Sequence, residues 1–198
     1  MIELNLDGYT ELPAGKIASV VTYLELRERP HRRAKPRDEL RLERVEPVSP
    51  DWYRTLYRRI GERWMWFSRL TLSDENLGAT LNDPRTLVWK VMQADREIGL
   101  IELDLRPLPS IELAFFGLVP EALGDGIGSW MMDEALAKAF AQGPERVFVH
   151  TCTLDHPNAL PFYMSCGFKP YGRALEIVDD PRLDGTLPKA AAPQLPIL

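Results

Sequence analysis

The sequence predicts an α/β domain of the α+β kind, with a mixed and mostly antiparallel central sheet flanked by helices. Two observations carry this. Strand-like runs at 87–92, 98–105 and 111–119 follow one another through short turns, which makes an antiparallel meander. A glycine-rich turn, a helical run and another β-branched run come next, an order that implies a parallel β–α–β crossover. With 198 residues, 45% hydrophobic and 27% charged, the chain reads as one globular domain. At that size one core buries about 70% of the unfolded surface.

In chain order, the first element is the run Ile17–Leu24, whose β-branched content reads as a strand, one arm of a hairpin. Residues 27–37 form a basic, proline-interrupted stretch, either a solvated linker or a patch for an anionic ligand. Leu40, Leu42 and Val45 suggest a short strand. A helix then starts with Ser49 as cap and Pro50 in its first turn, repeats Trp52, Tyr53, Leu56 and Ile60, and ends near Gly61. An aromatic and basic loop from Arg63 to Arg69 follows, then a short helix from Ser73 or Asp74 to Leu81, stopped by Asn82-Asp83-Pro84. In the meander, Leu103 and Leu105 alternate with Glu102 and Asp104, a half-buried pattern. Beyond it a helix over 129–141, a strand over 147–152, a short helix over 157–165 and a final strand pair around 168–178 complete the domain. This divides the chain into an N-terminal strand or hairpin extension with its connector (1–39), a main domain (40–178) and an irregular, proline-spaced tail (179–198).

Composition excludes several classes. Five Trp, six Tyr and seven Phe exclude global disorder, and no run of about 20 apolar residues exists to cross a membrane. The N-terminal residues are acidic where an export signal would be basic. Two cysteines, Cys152 and Cys166, are too few for a disulfide scaffold and fit a reducing cytoplasm. A net charge of −5 argues against nucleic acid as the principal partner.

The most informative segment is Val119-Pro120-Glu121-Ala122-Leu123-Gly124-Asp125-Gly126-Ile127-Gly128-Ser129, between a strand and a helix. Glycines permit close backbone approach, and a helix's first turn offers unpaired N–H groups, together an anion site suited to a pyrophosphate. The dinucleotide fingerprint fails, because Ser129 or Met131 stands where its last glycine belongs. The triphosphate loop fails too, since no Gly-Lys-Ser/Thr follows.

This segment, preceded by Phe116-Gly117-Leu118 and followed by Asn158-Ala159-Leu160-Pro161-Phe162-Tyr163 and Gly167-Phe168, resembles the GNAT (GCN5-related) N-acetyltransferase superfamily over about 40–178. The resemblance implies the fold of that family, with the pyrophosphate loop between the fourth strand and the third helix of the main domain. It implies acetyl-CoA as acyl donor, a primary amine of a small molecule or peptide as acceptor, and direct attack in a ternary complex. The alternative is a non-catalytic acyl-CoA-binding sensor or partner-binding protein of the same fold. The expected partners are acetyl-CoA and the acceptor, with a homodimer as the possible assembly and neither nucleic acid nor membrane.

By the same resemblance, Phe116, Gly117 and Leu118 would run along the pantetheine, and Leu123, Gly124, Asp125, Gly126, Ile127, Gly128 and Ser129 would hold the pyrophosphate. His156, Asn158 and Tyr163 would flank the thioester arm. Two departures stand out: Leu123 fills a slot the family gives to Gln or Arg, and His156 fills one often given to Asn. Tyr163 matches the tyrosine beside the coenzyme sulfur and is the candidate acid; its other reading is aromatic packing with Phe162 and Phe168. Glu112 is the candidate base, in the register that holds the glutamate in members resembling histone acetyltransferases; strand alternation would place it on one face with Ala114, Phe116 and Leu118. Arg63, Trp64, Trp66 and Phe67 are candidates for the acceptor pocket, through π faces and guanidinium groups, or else core. His150, Cys152 and His156 match no standard zinc spacing, and no metal is expected. Neither cysteine is expected to act as an acylated nucleophile.

Overall fold

A computed structural model describes residues 4–31 and 34–198. The strands are β1 (Lys16–Leu26), β2 (Leu40–Arg44), β3 (Thr86–Gln93), β4 (Arg96–Asp104), β5 (Ser110–Leu118), β6 (Arg146–Cys152) and β7 (Lys169–Asp179). The helices are α1 (Pro50–Gly61), α2 (Asp74–Leu81), α3 (Ile127–Phe140) and α4 (Ala159–Ser165). Strands β3, β4 and β5 form the expected meander, and α3 carries the chain from β5 to a parallel β6. All seven strands join one sheet in the order β2-β3-β4-β5-β6-β1-β7, antiparallel except at β5–β6.

The N-terminal strand departs from expectation. It is no arm of a hairpin: β1 lies between β6 and β7, with Leu26 opposite Val147 and Lys16 opposite Asp179. A division at residue 39 therefore does not separate two packed units, because an interior strand of the sheet comes from before it. The pair of strands expected around 168–178 is likewise a single strand, β7, whose partner is β1. Both differences arise because pairing between distant segments leaves no trace in local alternation.

Local signals set most helix ends. Ser73 caps α2 by accepting the Asn76 amide at 3.2 Å. Ser49 takes the extended N-cap backbone before Pro50 but makes no side-chain cap bond, so the proline alone marks that start. Helix α1 lies against β4 and β5, α2 against β3, and α3 against β5 and β6.

Strand β4 is central and covered on both faces, so its carboxylates are not the outward half of an alternating strand. Glu102 is fully buried and Asp104 nearly so. Each is neutralised: Glu102 by Arg69 at 2.5 Å and by the Tyr53 hydroxyl, Asp104 by Arg106 at 2.6 Å. The segment after β7 has no helix or strand but is firmly docked. Buried Arg182 pairs with Asp180 at 2.7 Å and donates to the carbonyl groups of Ala191, Ala192 and Leu195. Leu187, Ala191 and Ala192 then pack with Ile17 and Met65 in a second small core.

Candidate active site

The site begins where the sheet comes apart. Strands β5 and β6 pair at only Ser110–Arg146, Ile111–Val147 and Glu112–Phe148, although β5 continues to Leu118 and β6 to Cys152. Past Glu112 the strands diverge, and a cleft of about 1310 Å³ occupies the gap. It runs from the glycine turn, between β5 and α4, to the loop after α1.

At the glycine turn, Gly124 and Gly126 have φ of +99° and +74°, conformations that disfavour other residues. Gly126 is the N-cap of α3, and no side chain caps that helix. The Ser129 amide turns back onto the Gly126 carbonyl at 3.2 Å, no side chain caps the amides ahead of it, and a β-carbon at Gly124 would meet only open space. Leu123, Gly124, Gly126, Gly128 and Ser129 line the cleft. Two expected members do not: Asp125 is exposed, and Ile127 turns into the core at 2% exposure. They lie on the outer and inner sides of the turn, so only their main chain is available.

A β-bulge changes the alternation expected for β5. Glu102 pairs with Phe115 and Leu103 with Leu113, which leaves Ala114 without a partner. Phe115 packs against Tyr57 and Trp66, and a β-carbon at Gly117 would strike Ile60 and Trp66, so these two positions face α1. Phe116 instead stacks on Phe162 and meets Tyr163 of α4. Glu112 therefore does not share one continuous face with Phe116 and Leu118.

Its partner lies across the gap. Glu112 approaches Nδ1 of His150 at 3.0 Å. The imidazole pKa is raised, first by that hydrogen bond and further by the charges of Glu112, Asp155 and Glu176. The histidine side chain is 47% exposed into the cleft. Sequence reasoning weighed His150 as a metal ligand against ordinary packing or pocket lining, and gave it no part in the chemistry. The usable signal was the parallel crossover, which sets Glu112 beside Phe148 and His150 two residues further on the same face. His156 is engaged elsewhere: its Nδ1 accepts the Asn158 amide at 3.1 Å and its ring meets Trp64 at 4.8 Å. Among the described residues no group of three or more His, Cys, Asp or Glu could hold a metal ion.

Tyr163 is buried in α4 and lines the cleft. Burial, reinforced by the Asp155 charge, pushes its phenol well above the usual tyrosine value, so it is a protonated donor. Burial also raises the Cys152 and Cys166 thiols, which leaves them poor nucleophiles.

The loop after α1 closes the other end. Trp66 is wedged between Tyr57 and Phe115, its Nε1 donates to Asp155 at 3.2 Å, and a β-carbon at Gly61 would overlap it. Trp64, Trp66 and Phe67 reach the cleft, whereas Arg63 stands outside its lining, stacked over Trp64. Arg69 and Arg106 line it too, but each is matched by its own carboxylate. Around Glu112 and His150 the remaining charges are acidic, Asp155 and Glu176. The docked C-terminal segment supports this loop from outside: the Ala192 amide donates to the Arg63 carbonyl, and Arg58 donates to Thr186.

Comparison with known proteins agrees with this fold. A sequence model of the acetyltransferase (GNAT) family matches residues 37–168. A GCN5-related N-acetyltransferase from Sphaerobacter thermophilus superposes with TM-score 0.61 at 13% identity, covering 82% of this chain and 52% of that one. A protein of unknown function from Staphylococcus epidermidis gives 0.57 at 15% identity, covering 84% and 64%. The aminoglycoside acetyltransferase meta-AAC0020, from an uncultured soil sample and in complex with trehalose, gives 0.53 at 20% identity, covering 65% and 88%. The chain thus spans less than two thirds of the length of the first two. No curated protein matches it in sequence. At these identities the superpositions establish a shared fold.

Proposed function

The chain belongs to the acetyltransferase (GNAT) family, and from that premise we propose that it moves an acetyl group from acetyl-CoA to a primary amine by direct attack while both are bound. The observation that carries the reading is the single cleft that joins an uncapped glycine turn to the Glu112–His150 pair. Acetyl-CoA fits it. The turn offers main-chain donors around open space, and the unpaired edge of β5 from Leu113 to Leu118 offers peptide groups to an extended pantetheine arm. When bound, the coenzyme supplies an acyl group activated as a thioester.

The protein's residues then have separable tasks. The α3 N-terminus and the amides around Gly124 and Gly126 hold the phosphates. An acceptor amine arrives as an ammonium group with a pKa near ~10.4 and must lose a proton. The acidic surroundings of His150 draw in that cation, and the imidazole, its Nδ1 fixed by Glu112, accepts the proton at Nε2. Amides on the edge of β5 are placed to polarise the acyl carbonyl. Tyr163 gives a proton or a hydrogen bond to the departing sulfur. Net acidity at the acceptor end favours a cationic small molecule or peptide amine over an anionic one. The two unpaired thiols suit a reducing compartment, so we place the protein in the cytoplasm; no helix of the described residues is long and apolar enough to cross a membrane.

The test is a thiol-release assay across a panel of amines, with coenzyme binding measured in parallel. Turnover with at least one cationic amine is expected. Tight coenzyme binding without turnover of any amine would favour the sensor role instead. Within that assay Tyr163→Phe should lower kcat about 100-fold while coenzyme affinity stays within about twofold. Equal losses in both would remove Tyr163 as the acid.

A further inference from the structure

The turn that opens α3 has no cationic side chain of its own: position 123 is leucine and position 125 is aspartate. Main-chain amides and the helix dipole contribute only partial charges, whereas a pyrophosphate is strongly anionic. A cationic side chain nevertheless stands at the turn, delivered from a distant part of the chain and shared with a carboxylate. Arg37 ends the basic stretch 27–37, and a β-carbon built on Gly126 would lie 3.2 Å from its Nη2. Its Nη1 is held by the Glu39 carboxylate at 3.0 Å, and the side chain is 28% exposed. The preceding segment is tied to the flank of α3. Arg29 donates to the Asp133 carbonyl at 3.2 Å, and the Ala34 amide donates to the Asp133 carboxylate. The guanidinium is therefore aimed by its neighbours, with one terminal nitrogen on Glu39 and the other at the mouth of the turn.

We propose that Arg37 is the charged contact for the coenzyme's pyrophosphate, supplied from outside the glycine motif to a turn whose own cation position holds Leu123. The inference deepens the acetyl-CoA reading and rests on it. The Nη2 group not held by Glu39 can give a phosphate oxygen a charge-assisted hydrogen bond, stronger than a main-chain amide's, and its contribution is sensitive to salt. It also explains why leucine at 123 is compatible with coenzyme binding, since the charge comes from elsewhere.

Calorimetric titration of the full chain with CoA and with 3′-dephospho-CoA tests this. Wild-type protein that binds neither would overturn the acetyl-CoA reading itself. If the wild type binds, Arg37→Gln should weaken both ligands by the same factor, about tenfold or ~1.4 kcal/mol, and flatten the salt dependence. Adding Leu123→Arg to the Arg37→Gln protein should recover affinity, a result that a merely structural role for Arg37 would not give. Unchanged affinity in folded Arg37→Gln overturns the proposal. So does a loss confined to CoA, which would put Arg37 on the ribose phosphate instead.

Discussion

At one end of the cleft the walls are main chain: Gly124 and Gly126 in left-handed conformations and the uncapped first turn of α3. At the other they are side chains, Trp64, Trp66, Phe67 and the Glu112–His150 pair, fixed by contacts to Asp155, to α1 and to the docked C-terminal segment. The difference teaches where sequence can vary. A backbone-built site depends on φ angles and tolerates most changes in its outward side chains. A side-chain-built site can be redrawn one substitution at a time, so in the proposed reaction this end would set acceptor specificity.

The contrast can be broken at several points, from the largest effect to the smallest. Gly126→Val places a β-branched residue at φ +74° with its β-carbon 3.2 Å from Arg37; coenzyme affinity by calorimetry should fall at least about 100-fold. Affinity within tenfold of wild type would dissolve the distinction. Glu112→Gln should lower kcat/KM at neutral pH by roughly 10- to 100-fold without changing coenzyme affinity. The raised imidazole pKa places the acid limb of the wild-type pH profile above the ordinary histidine value of about 6.5. Loss of the Glu112 charge should move that limb to lower pH. The same raised pKa means that the pair's contribution to folding is complete below the unfolded value and disappears as pH rises through the folded one. Trp64→Ala should raise the acceptor KM about three- to tenfold and leave the coenzyme end alone, as measured by KM and Kd together. Leu123→Ala, at an exposed side chain of the backbone-built end, should change coenzyme affinity less than about twofold.

Much of the glycine turn's geometry was legible because its information is local. A glycine at positive φ, a helix start and a preceding strand all sit within the dozen or so residues that form the turn. Asp125 and Ile127 were the exceptions, since no motif states which side chains of a turn face inward. The side-chain-built end was less legible because it is assembled across the fold. The pairing of Glu112 with His150 depends on the β5–β6 register, and the face presented by Phe116 depends on a bulge at Ala114 that alternation does not announce. Buried Glu102 looked like a surface residue because its partners, Arg69 and Tyr53, come from other elements. The prolines of the C-terminal segment correctly signalled irregular backbone, but its docking rests on Arg182 collecting three carbonyl groups, a three-dimensional property.

The position of β1 has a consequence in the order of synthesis. Its partner residues in β6 begin about 120 positions later, and those in β7 come later still. At about 5–20 residues per second, β1 leaves the ribosome roughly 6–24 s before its first neighbour exists. During that interval Val20, Val21 and Leu24 belong to a strand with two open edges, a template for association with other nascent chains. The meander and its helices can collapse in the meantime, and the sheet closes only when the last strands arrive on either side of the first. A chain cut short after β5 would have its glycine turn unmade and its first strand still waiting.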